Sequence, residues 1–301
     1  MFISSQDSPA AFKDFTLVMP AVAVGNVGQL AVDLIVSTLN MSRVGYFHTD
    51  CLIPMAGNNP YASGKEDAEE LHTPAEVYTA AELKLAVLQI RSPIIQMRSK
   101  KFRQQLKSWI KASGFSRTVV LSSSHAYQRD DQQLTSLRYL MTPSLLAASA
   151  DALKELGWRE MERIPAFPGV DADAEPRLCI PGGGITKGLY TDGCAEDLPL
   201  AVLLLFCSEG DNIPDAFALV NHLNDWLHLL DGQVSLELDF LPSLQASNQK
   251  QKFLFYSFLI ERRTKQQVED PNFLEFAVWQ RHPSCTFLIE DTMVVKMSLN
   301  L

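Results

Sequence analysis

The sequence predicts a layered α/β fold in which a mostly parallel central sheet is flanked by helices. Short apolar runs without helical periodicity, at residues 15–24 and 200–207, are typical of strands buried on both faces. Segments with apolar residues at helical spacing alternate with such runs as far as residue 232. Because strand–helix–strand crossovers place helices on the faces of a parallel sheet, this alternation predicts an α/β domain.

The first strand, at residues 15–24, is followed by the tight turn Gly25-Asn26-Val27-Gly28. Apolar residues recur at helical spacing over residues 30–39, and residues 43–49 return as a strand. The prolines, glycine and acidic run of residues 58–76 predict an exposed loop before a strand at residues 83–91.

The middle of the chain contains two helices whose ends are marked. Residues 99–113 form an amphipathic pattern closed by Gly114 as a carboxyl cap, and residues 143–156 begin with proline and are followed by Gly157. Between them, residues 117–121 predict a strand that ends before Ser122-Ser123-Ser124. After the strand at 200–207, Asn212 is expected to cap a helix that begins near Pro214 and continues to residue 230.

A glycine-rich segment at residues 181–190 precedes the second apolar strand. It is expected to be a flexible surface loop that becomes ordered when a partner binds, because ordering consecutive glycines costs conformational entropy. It supplies the candidate partner-binding residues Gly182, Gly183, Gly184, Lys187 and Tyr190.

The chain divides into a domain at residues 1–232 and an extension at residues 233–301. All 15 glycines lie in the first part and none in the second, although the extension is rich in aromatic residues. Glycine is the usual residue at tight turns and helix ends, so a compact domain without it would be unusual. The extension is therefore predicted to be an addition to the domain rather than a second domain.

Composition narrows the class of protein. A formal net charge of -9 disfavours a nucleic-acid partner, which requires clustered Lys and Arg. No apolar run approaches the roughly 20 residues of a membrane-spanning helix, and no signal peptide is expected. The 5 cysteines are widely spaced and form no CxxC pair, which predicts reduced thiols in the cytoplasm or nucleus and no zinc site.

Three patterns could suggest chemistry, and each departs from the motif that it resembles. The Gly25–Gly28 turn is G-x-x-G rather than the G-x-G-x-x-G of a nucleotide-binding loop, so a plain turn is favoured. In a nucleotide site, Asp50 would be the candidate for binding the ribose. In the 181–190 loop, Thr186 precedes Lys187, the reverse of a phosphate-binding loop. Ser122-Ser123-Ser124-His125 lacks the G-x-S-x-G elbow of hydrolases, so the hydroxyls are expected to cap local amides.

The remaining histidines show no metal-ligand spacing, so no metal and no cofactor are expected. An enzyme that uses the fold on a nucleoside or phosphoester remains the alternative to a binding protein.

Several long segments resemble the PAC2 family of proteasome assembly chaperones. They are residues 15–39 (FTLVMPAVAVGNVGQLAVDLIVSTL), 45–61 (GYFHTDCLIPMAGNNPY), 120–129 (VLSSSHAYQR), 180–189 (IPGGGITKGL) and 208–226 (SEGDNIPDAFALVNHLNDW). The resemblance covers about residues 12–230 and is not seen beyond residue 233.

The resemblance implies a three-layer fold related to nucleoside phosphorylases but used without catalysis. It implies a heterodimer with proteasome assembly chaperone 1 that holds α subunits, promotes assembly of the 20S proteasome α ring and prevents α rings from dimerising. Family members dock carboxyl termini with a penultimate tyrosine between α subunits, whereas this chain ends Ser298-Leu299-Asn300-Leu301. Docking through this terminus is therefore not expected.

Overall fold

The computed structural model describes residues 1–5, 12–62, 70–128, 136–164 and 177–230, together with two short strands at 276–277 and 294–295. Its centre is an eight-stranded mixed sheet. The strands of this sheet are β1 (Phe2–Ser4), β2 (Thr16–Pro20), β3 (Ser42–Phe47), β6 (Ala75–Ala80), β7 (Leu85–Ile90), β8 (Arg117–His125), β9 (Leu137–Met141) and β12 (Leu200–Cys207). The remaining strands have two residues each: β4 (Gly57–Asn58), β5 (Leu71–His72), β10 (Arg163–Ile164), β11 (Arg177–Leu178), β13 (Phe276–Ala277) and β14 (Val294–Val295).

The sheet has the order β1-β3-β6-β7-β2-β8-β12-β9. Its four central strands, β7, β2, β8 and β12, are mutually parallel. The pairings outside this group are antiparallel. The predicted central sheet with flanking helices is thus confirmed, and antiparallel strands form both of its sides.

In the described part of the chain, five helices cover the two faces of the sheet, which gives three layers. They are α1 (Val27–Thr38), α2 (Ser99–Ser113), α3 (Pro143–Leu156), α4 (Thr186–Ala195) and α5 (Ile213–Leu227). Helices α1, α3 and α5 pack on one face, and α2 and α4 pack on the other. Every residue from Val27 to Val36 of α1 is buried, and α1 packs against both the sheet and α5.

Alternation along β12 shows how one strand serves both apolar layers. Leu200, Val202 and Leu204 face the layer that contains α2 and α4. Ala201, Leu203 and Leu205 face the layer that contains α1, α3 and α5. A strand buried on both faces needs an uninterrupted apolar run, which is the pattern that the sequence presents there.

Helices α2 and α3 have the predicted bounds, and Gly114 and Gly157 end them in the left-handed conformation with φ of 70° and 63°. The prediction of an exposed loop at residues 58–76 is wrong in part, because only residues 70 and 71 of the described positions are exposed. Glu76 is buried in β6, and residues 71–72 form β5, whereas residues 63–69 lie outside the described part. Strand β6 and the antiparallel β9 were not predicted.

The predicted strand–helix–strand start is confirmed as β2, α1 and β3. Strand β3 runs in the same direction as β2, and β7 and β6 lie between them in the sheet. The strand predicted at residues 117–121 extends to His125, so the three serines belong to β8. The predicted boundary at residue 232 stays a prediction, because residues 231–275 lie outside the described part.

Candidate functional site

The carboxyl ends of β2, β7, β8 and β12 meet at one edge of the sheet, because these strands are parallel. Open α/β sheets bind their ligands at this edge. The segments that form it around β2, β8 and β12 are residues 21–26, 124–127, 181–185 and 207–212, and we call them the carboxyl-edge loops. They contain part of each of the three patterns that could suggest chemistry.

The serine run of β8 forms structural hydrogen bonds. The Ser122 hydroxyl lies 2.6 Å from that of Thr186, and the Ser124 hydroxyl donates to the Pro181 carbonyl at 2.7 Å. The Ser123 hydroxyl donates to the Val24 carbonyl at 2.5 Å. The expected capping of local amides is wrong, because distant carbonyl groups and Thr186 are the partners. These hydroxyls join β8 to the loops and are not arranged as nucleophiles.

His125 contacts the glycine-rich loop and an exposed aromatic ring. Its ring stacks on that of Tyr127 with the centroids 4.9 Å apart and the planes at 29°. A β-carbon at Gly182 would lie 2.9 Å from the His125 ring, so the loop holds the histidine closely. Tyr127 is 74% exposed. The two stacked rings form a partly exposed aromatic surface, and aromatic residues are enriched at protein interfaces.

The first glycine turn has no space for a phosphate beside Gly25. The Asn212 side-chain amide donates to the Gly25 carbonyl at 3.1 Å, and a β-carbon at Gly25 would lie 2.3 Å from that nitrogen. Asn212 therefore joins α5 to the turn and makes no side-chain cap, contrary to the sequence prediction. Gly28 allows α1 to approach β8, since a β-carbon there would lie 2.4 Å from the Leu121 carbonyl oxygen. Both glycines serve close packing.

Asp50 does not lie where a ribose-binding acid would be needed. It follows β3, which β6 and β7 separate from β2. Its carboxylate accepts hydrogen bonds from Arg98 and Lys101, each at 2.6 Å. The hydrogen bond from Lys101 lowers the pKa of Asp50 to about 2. Neither the Gly25–Gly28 turn nor Asp50 is therefore placed to bind a nucleotide.

The expectation of a flexible loop at residues 181–190 is wrong. Gly182 accepts a hydrogen bond from the Val24 amide at 2.8 Å, and Ile185 donates to the Ala21 carbonyl at 3.2 Å. Gly182 and Gly184 have φ of 74° and 56°, which is the left-handed region that glycine permits. From Thr186 onward the segment is helix α4. The loop is therefore ordered by its own chain.

The five candidate partner-binding residues divide into exposed and buried positions. Gly182, Gly184 and Lys187 are exposed, whereas Gly183 is buried. Tyr190 is a core residue whose hydroxyl donates to the Met141 carbonyl at 3.4 Å. Burial raises the pKa of Tyr190 to about 12. A partner could contact the exposed positions, and that role stays a prediction.

A shallow acidic cavity of about 320 Å³ lies at the end of β12. Glu209, Asp211 and Asp215 are among the residues that line it. Burial, together with nearby Asp211, raises the pKa of Asp215. Burial and then Asp215 raise the pKa of the Cys207 thiol to about 11, so this thiol is protonated at neutral pH. Negative charge at this cavity disfavours a phosphate ligand.

No group of three or more metal-ligating side chains occurs among the residues that the structure describes. Cys51, Cys179, Cys194 and Cys207 are free thiols, and Cys285 lies outside the described part. Of the helices in the described ranges, none has the length and apolar content that crossing a bilayer requires.

Comparison with known families gives a match to the PAC2 family model over residues 17–239. The chain belongs to the PAC2 family. Among similar proteins, Proteasome assembly chaperone 2 of Danio rerio is 70% identical over 233 residues, which cover 77% of this chain and 89% of that protein. The Homo sapiens protein of the same name is 54% identical over 232 residues, which cover 76% of this chain and 88% of that protein.

Solved structures show that this PAC2-family chain shares its fold with archaeal proteins. A Thermoplasma acidophilum protein superposes with a TM-score of 0.60 at 17% identity, and the match covers 87% of this chain and 91% of that protein. Pyrococcus furiosus PbaA is described as an archaeal homolog of proteasome-assembly chaperone. It superposes with a TM-score of 0.56 at 14% identity, and the match covers 83% of this chain and 96% of PbaA. The predicted relation to nucleoside phosphorylases stays a prediction.

Proposed function

We propose that this chain is a non-catalytic chaperone that pairs with proteasome assembly chaperone 1 and promotes assembly of the 20S proteasome α ring. In this role the heterodimer holds α subunits while the ring forms and prevents rings from dimerising. We further propose that it acts in the cytoplasm and the nucleus. The observation that carries the proposal is the 70% identity to Proteasome assembly chaperone 2 of Danio rerio, over 89% of that protein.

The geometry of the carboxyl-edge loops supports a binding role. Where an α/β enzyme would hold its substrate, Asn212 and the glycine-rich loop pack against the chain's own backbone. The serine hydroxyls of β8 are bonded to structural partners. The exposed residues at this edge include Tyr127, Gly182 and Lys187, and an exposed aromatic ring suits recognition of another protein.

Co-expression with proteasome assembly chaperone 1 tests the pairing. We expect the chain alone to self-associate or to be poorly soluble, because obligate interfaces are large and apolar. Together with its partner it should elute from size-exclusion chromatography as a monodisperse heterodimer. Chain co-expressed with an unrelated protein is the control. A stable monomer in isolation that does not co-elute with proteasome assembly chaperone 1 would contradict the pairing.

The assembly step needs a separate measurement. Purified heterodimer should increase the yield of α rings formed from isolated α subunits and decrease the fraction of double rings on native gels. A sample of α subunits without the heterodimer is the control. Equal yields and equal double-ring fractions with and without the heterodimer would contradict the assembly role even if pairing is observed.

The alternative of a nucleoside or phosphoester enzyme predicts ligand binding. A ligand at about 100 times its dissociation constant stabilises a protein by about 2.7 kcal/mol, which thermal shift detects readily. Our proposal expects no shift with nucleosides, phosphate or both. A reproducible shift accompanied by product formation would replace the proposal with the enzyme.

A further inference from the structure

The connection from β7 to α2 exposes one apolar side chain almost completely. Met97 is 99% exposed, the highest value among the large hydrophobic residues of the described ranges. It lies in a tight turn that the Arg98 amide closes by donating to the Ile95 carbonyl at 3.0 Å. The Ile95 amide in turn donates to the Cys51 carbonyl at 2.8 Å. Met97 therefore projects from a fixed backbone and not from a free end.

The backbone conformation of Met97 is unfavourable for its side chain. Its φ is 62°, at the third position of the four-residue turn Ile95 to Arg98. Turns with positive φ at this position prefer Gly or Asn. Methionine is thus a costly choice for the fold, both because its backbone is strained and because its side chain makes little contact with the domain. Strain of this kind tends to be found at functional positions.

Positive charge surrounds the exposed methionine. Arg98, Lys100 and Lys101 lie at the start of α2, and its first turn has no acidic residue. Arg98 and Lys101 share the single carboxylate of Asp50, with both side chains about half exposed. Cations at a helix amino terminus oppose the helix dipole, so this placement also costs stability. We call Met97, Arg98, Lys100 and Lys101 the Met97 patch.

We propose that the Met97 patch is a docking surface for a proteasome α subunit, through an acidic surface that contains an apolar pocket. The inference rests on the proposed function. The charge of the patch calls for an acidic partner surface, because two of its three cations share the single carboxylate of Asp50 on a chain whose formal net charge is -9. Met97 fills the pocket, and the cations orient the approach.

The chemistry of the patch favours the α subunit over proteasome assembly chaperone 1. Cores of permanent interfaces are depleted of charged residues, whereas transient interfaces combine a few apolar contacts with a polar surround. A chaperone releases its client once assembly is complete. A single methionine among lysines and an arginine matches the transient contact.

Two substitutions at Met97 separate binding from folding. Asn tolerates the left-handed conformation and removes the apolar side chain, and Gly removes the strain as well. Each variant is prepared as the full chain in complex with proteasome assembly chaperone 1, and binding to a purified α subunit is measured by surface plasmon resonance. We expect Met97→Asn and Met97→Gly to weaken this binding by about tenfold or more. Their melting temperatures should equal or exceed that of the unsubstituted chain.

Leu83→Asn is the matched control. Leu83 is another exposed apolar residue, 42% exposed, in the turn that precedes β7, at the opposite end of the strand from the Met97 patch. It should leave α-subunit binding unchanged. Lys100→Glu should weaken binding at low salt and make the remaining binding less dependent on salt concentration. None of these substitutions should affect co-elution with proteasome assembly chaperone 1.

The outcomes distinguish the inference from the proposed function. An unsubstituted heterodimer that binds no α subunit would overturn both. If the unsubstituted heterodimer binds the α subunit and the variants Met97→Asn, Met97→Gly and Lys100→Glu bind it equally well, only the assignment of the patch would be overturned. Loss of proteasome assembly chaperone 1 from the Met97 variants, with a normal melting temperature, would also overturn it, since the patch would then belong to the heterodimer interface.

Discussion

The hydroxyl groups of Ser122 and Thr186 lie 2.6 Å apart and are both inaccessible to solvent. Ser122 is in β8, and Thr186 is the first residue of α4, 64 positions further along the chain. The pair fixes the start of α4 against the centre of the sheet and with it the end of the glycine-rich loop. A position that could have carried a nucleophile thus contributes to the rigidity of the carboxyl-edge loops.

Removal of either hydroxyl should destabilise the domain. Ser122→Ala leaves the Thr186 hydroxyl buried without its partner, which costs about 1–3 kcal/mol of stability. Thr186→Val should cause a similar loss, because it leaves the Ser122 hydroxyl without its partner. The double variant should lose less than the sum, because no unpaired hydroxyl then remains. Urea unfolding of the unsubstituted chain, the two single variants and the double variant, each in complex with proteasome assembly chaperone 1, measures the coupling. Strictly additive losses would show that the two hydroxyls do not interact.

The glycine-rich loop should tolerate no side chain at Gly184. A β-carbon there would lie 2.3 Å from the Val22 carbonyl oxygen and 2.4 Å from that of Ala21, and φ is 56°. Left-handed strain and overpacking together predict that Gly184→Ala costs about 3 kcal/mol. Thermal unfolding monitored by circular dichroism measures the loss.

Gly157→Ala is the matched control for that substitution. Gly157 has φ of 63°, and a β-carbon there would have no atom within 4 Å. Only the backbone strain applies, so the expected loss is about 1 kcal/mol. Equal losses at the two glycines would mean that the contact between the loop and residues 21–22 does not restrict Gly184.

The elements that sequence reasoning predicted are those whose residues carry their own signals. The uninterrupted apolar run of β12 and the glycines that end α2 and α3 can be recognised without knowledge of their neighbours. Helix α4 could not, because it contains Gly188 and Gly193 and therefore looks like a loop. Gly188 is explained only by the fold, since a β-carbon there would lie 2.6 Å from the Arg103 guanidinium carbon.

Strand β6 was missed for a related reason. Glu76 lies in its interior, and a buried glutamate breaks the apolar pattern expected of a strand. Its partners come from other segments, among them Arg43 of β3 and His72 of β5. The exposed surface could not be predicted either, because neither the stacking of Tyr127 on His125 nor the exposure of Met97 has a sequence signature.

A buried ion pair between Asp33 of α1 and Arg91, the residue after β7, should be essential to stability. The Asp33 carboxylate accepts two hydrogen bonds from Arg91, at 2.6 and 3.0 Å, and one each from the Tyr61 hydroxyl and the Gln89 side-chain amide, both at 2.6 Å. Asp33→Ala leaves the Arg91 guanidinium buried without its counter-charge, which costs about 3–5 kcal/mol. Chemical denaturation measures the loss.

Two further variants define the origin of that effect. Asp33→Leu combined with Arg91→Met should regain part of the stability, because no uncompensated charge is then buried. Lys154→Ala breaks an exposed pair with Asp151 in α3 and should change the free energy of unfolding by less than about 0.5 kcal/mol. A loss at Asp33→Ala no larger than that at Lys154→Ala would contradict the role of the buried pair.

Glu76 should make the stability of the domain dependent on acid. Burial alone would raise its pKa, but hydrogen bonds from His72 at 2.7 Å, from the Tyr78 hydroxyl at 2.6 Å and from the Thr73 amide at 2.8 Å favour the carboxylate. The net result lowers the pKa of Glu76 from 4.5 to about 2. Since the unfolded chain then binds the proton more tightly than the folded one, the stabilisation is complete above about pH 4.5 and is lost as the pH falls towards 2.

The difference between the two pKa values corresponds to a contribution of about 3 kcal/mol at neutral pH. Glu76→Gln removes the charge and its titration, so this variant should be less stable than the unsubstituted chain at neutral pH. The gap should narrow steadily between about pH 4.5 and pH 3, because the unsubstituted chain then loses what the variant already lacks. Urea unfolding of both chains across this range measures the gap. A gap that stays constant with pH would show that Glu76 stabilises the fold by packing alone and that its hydrogen bonds do not favour the carboxylate.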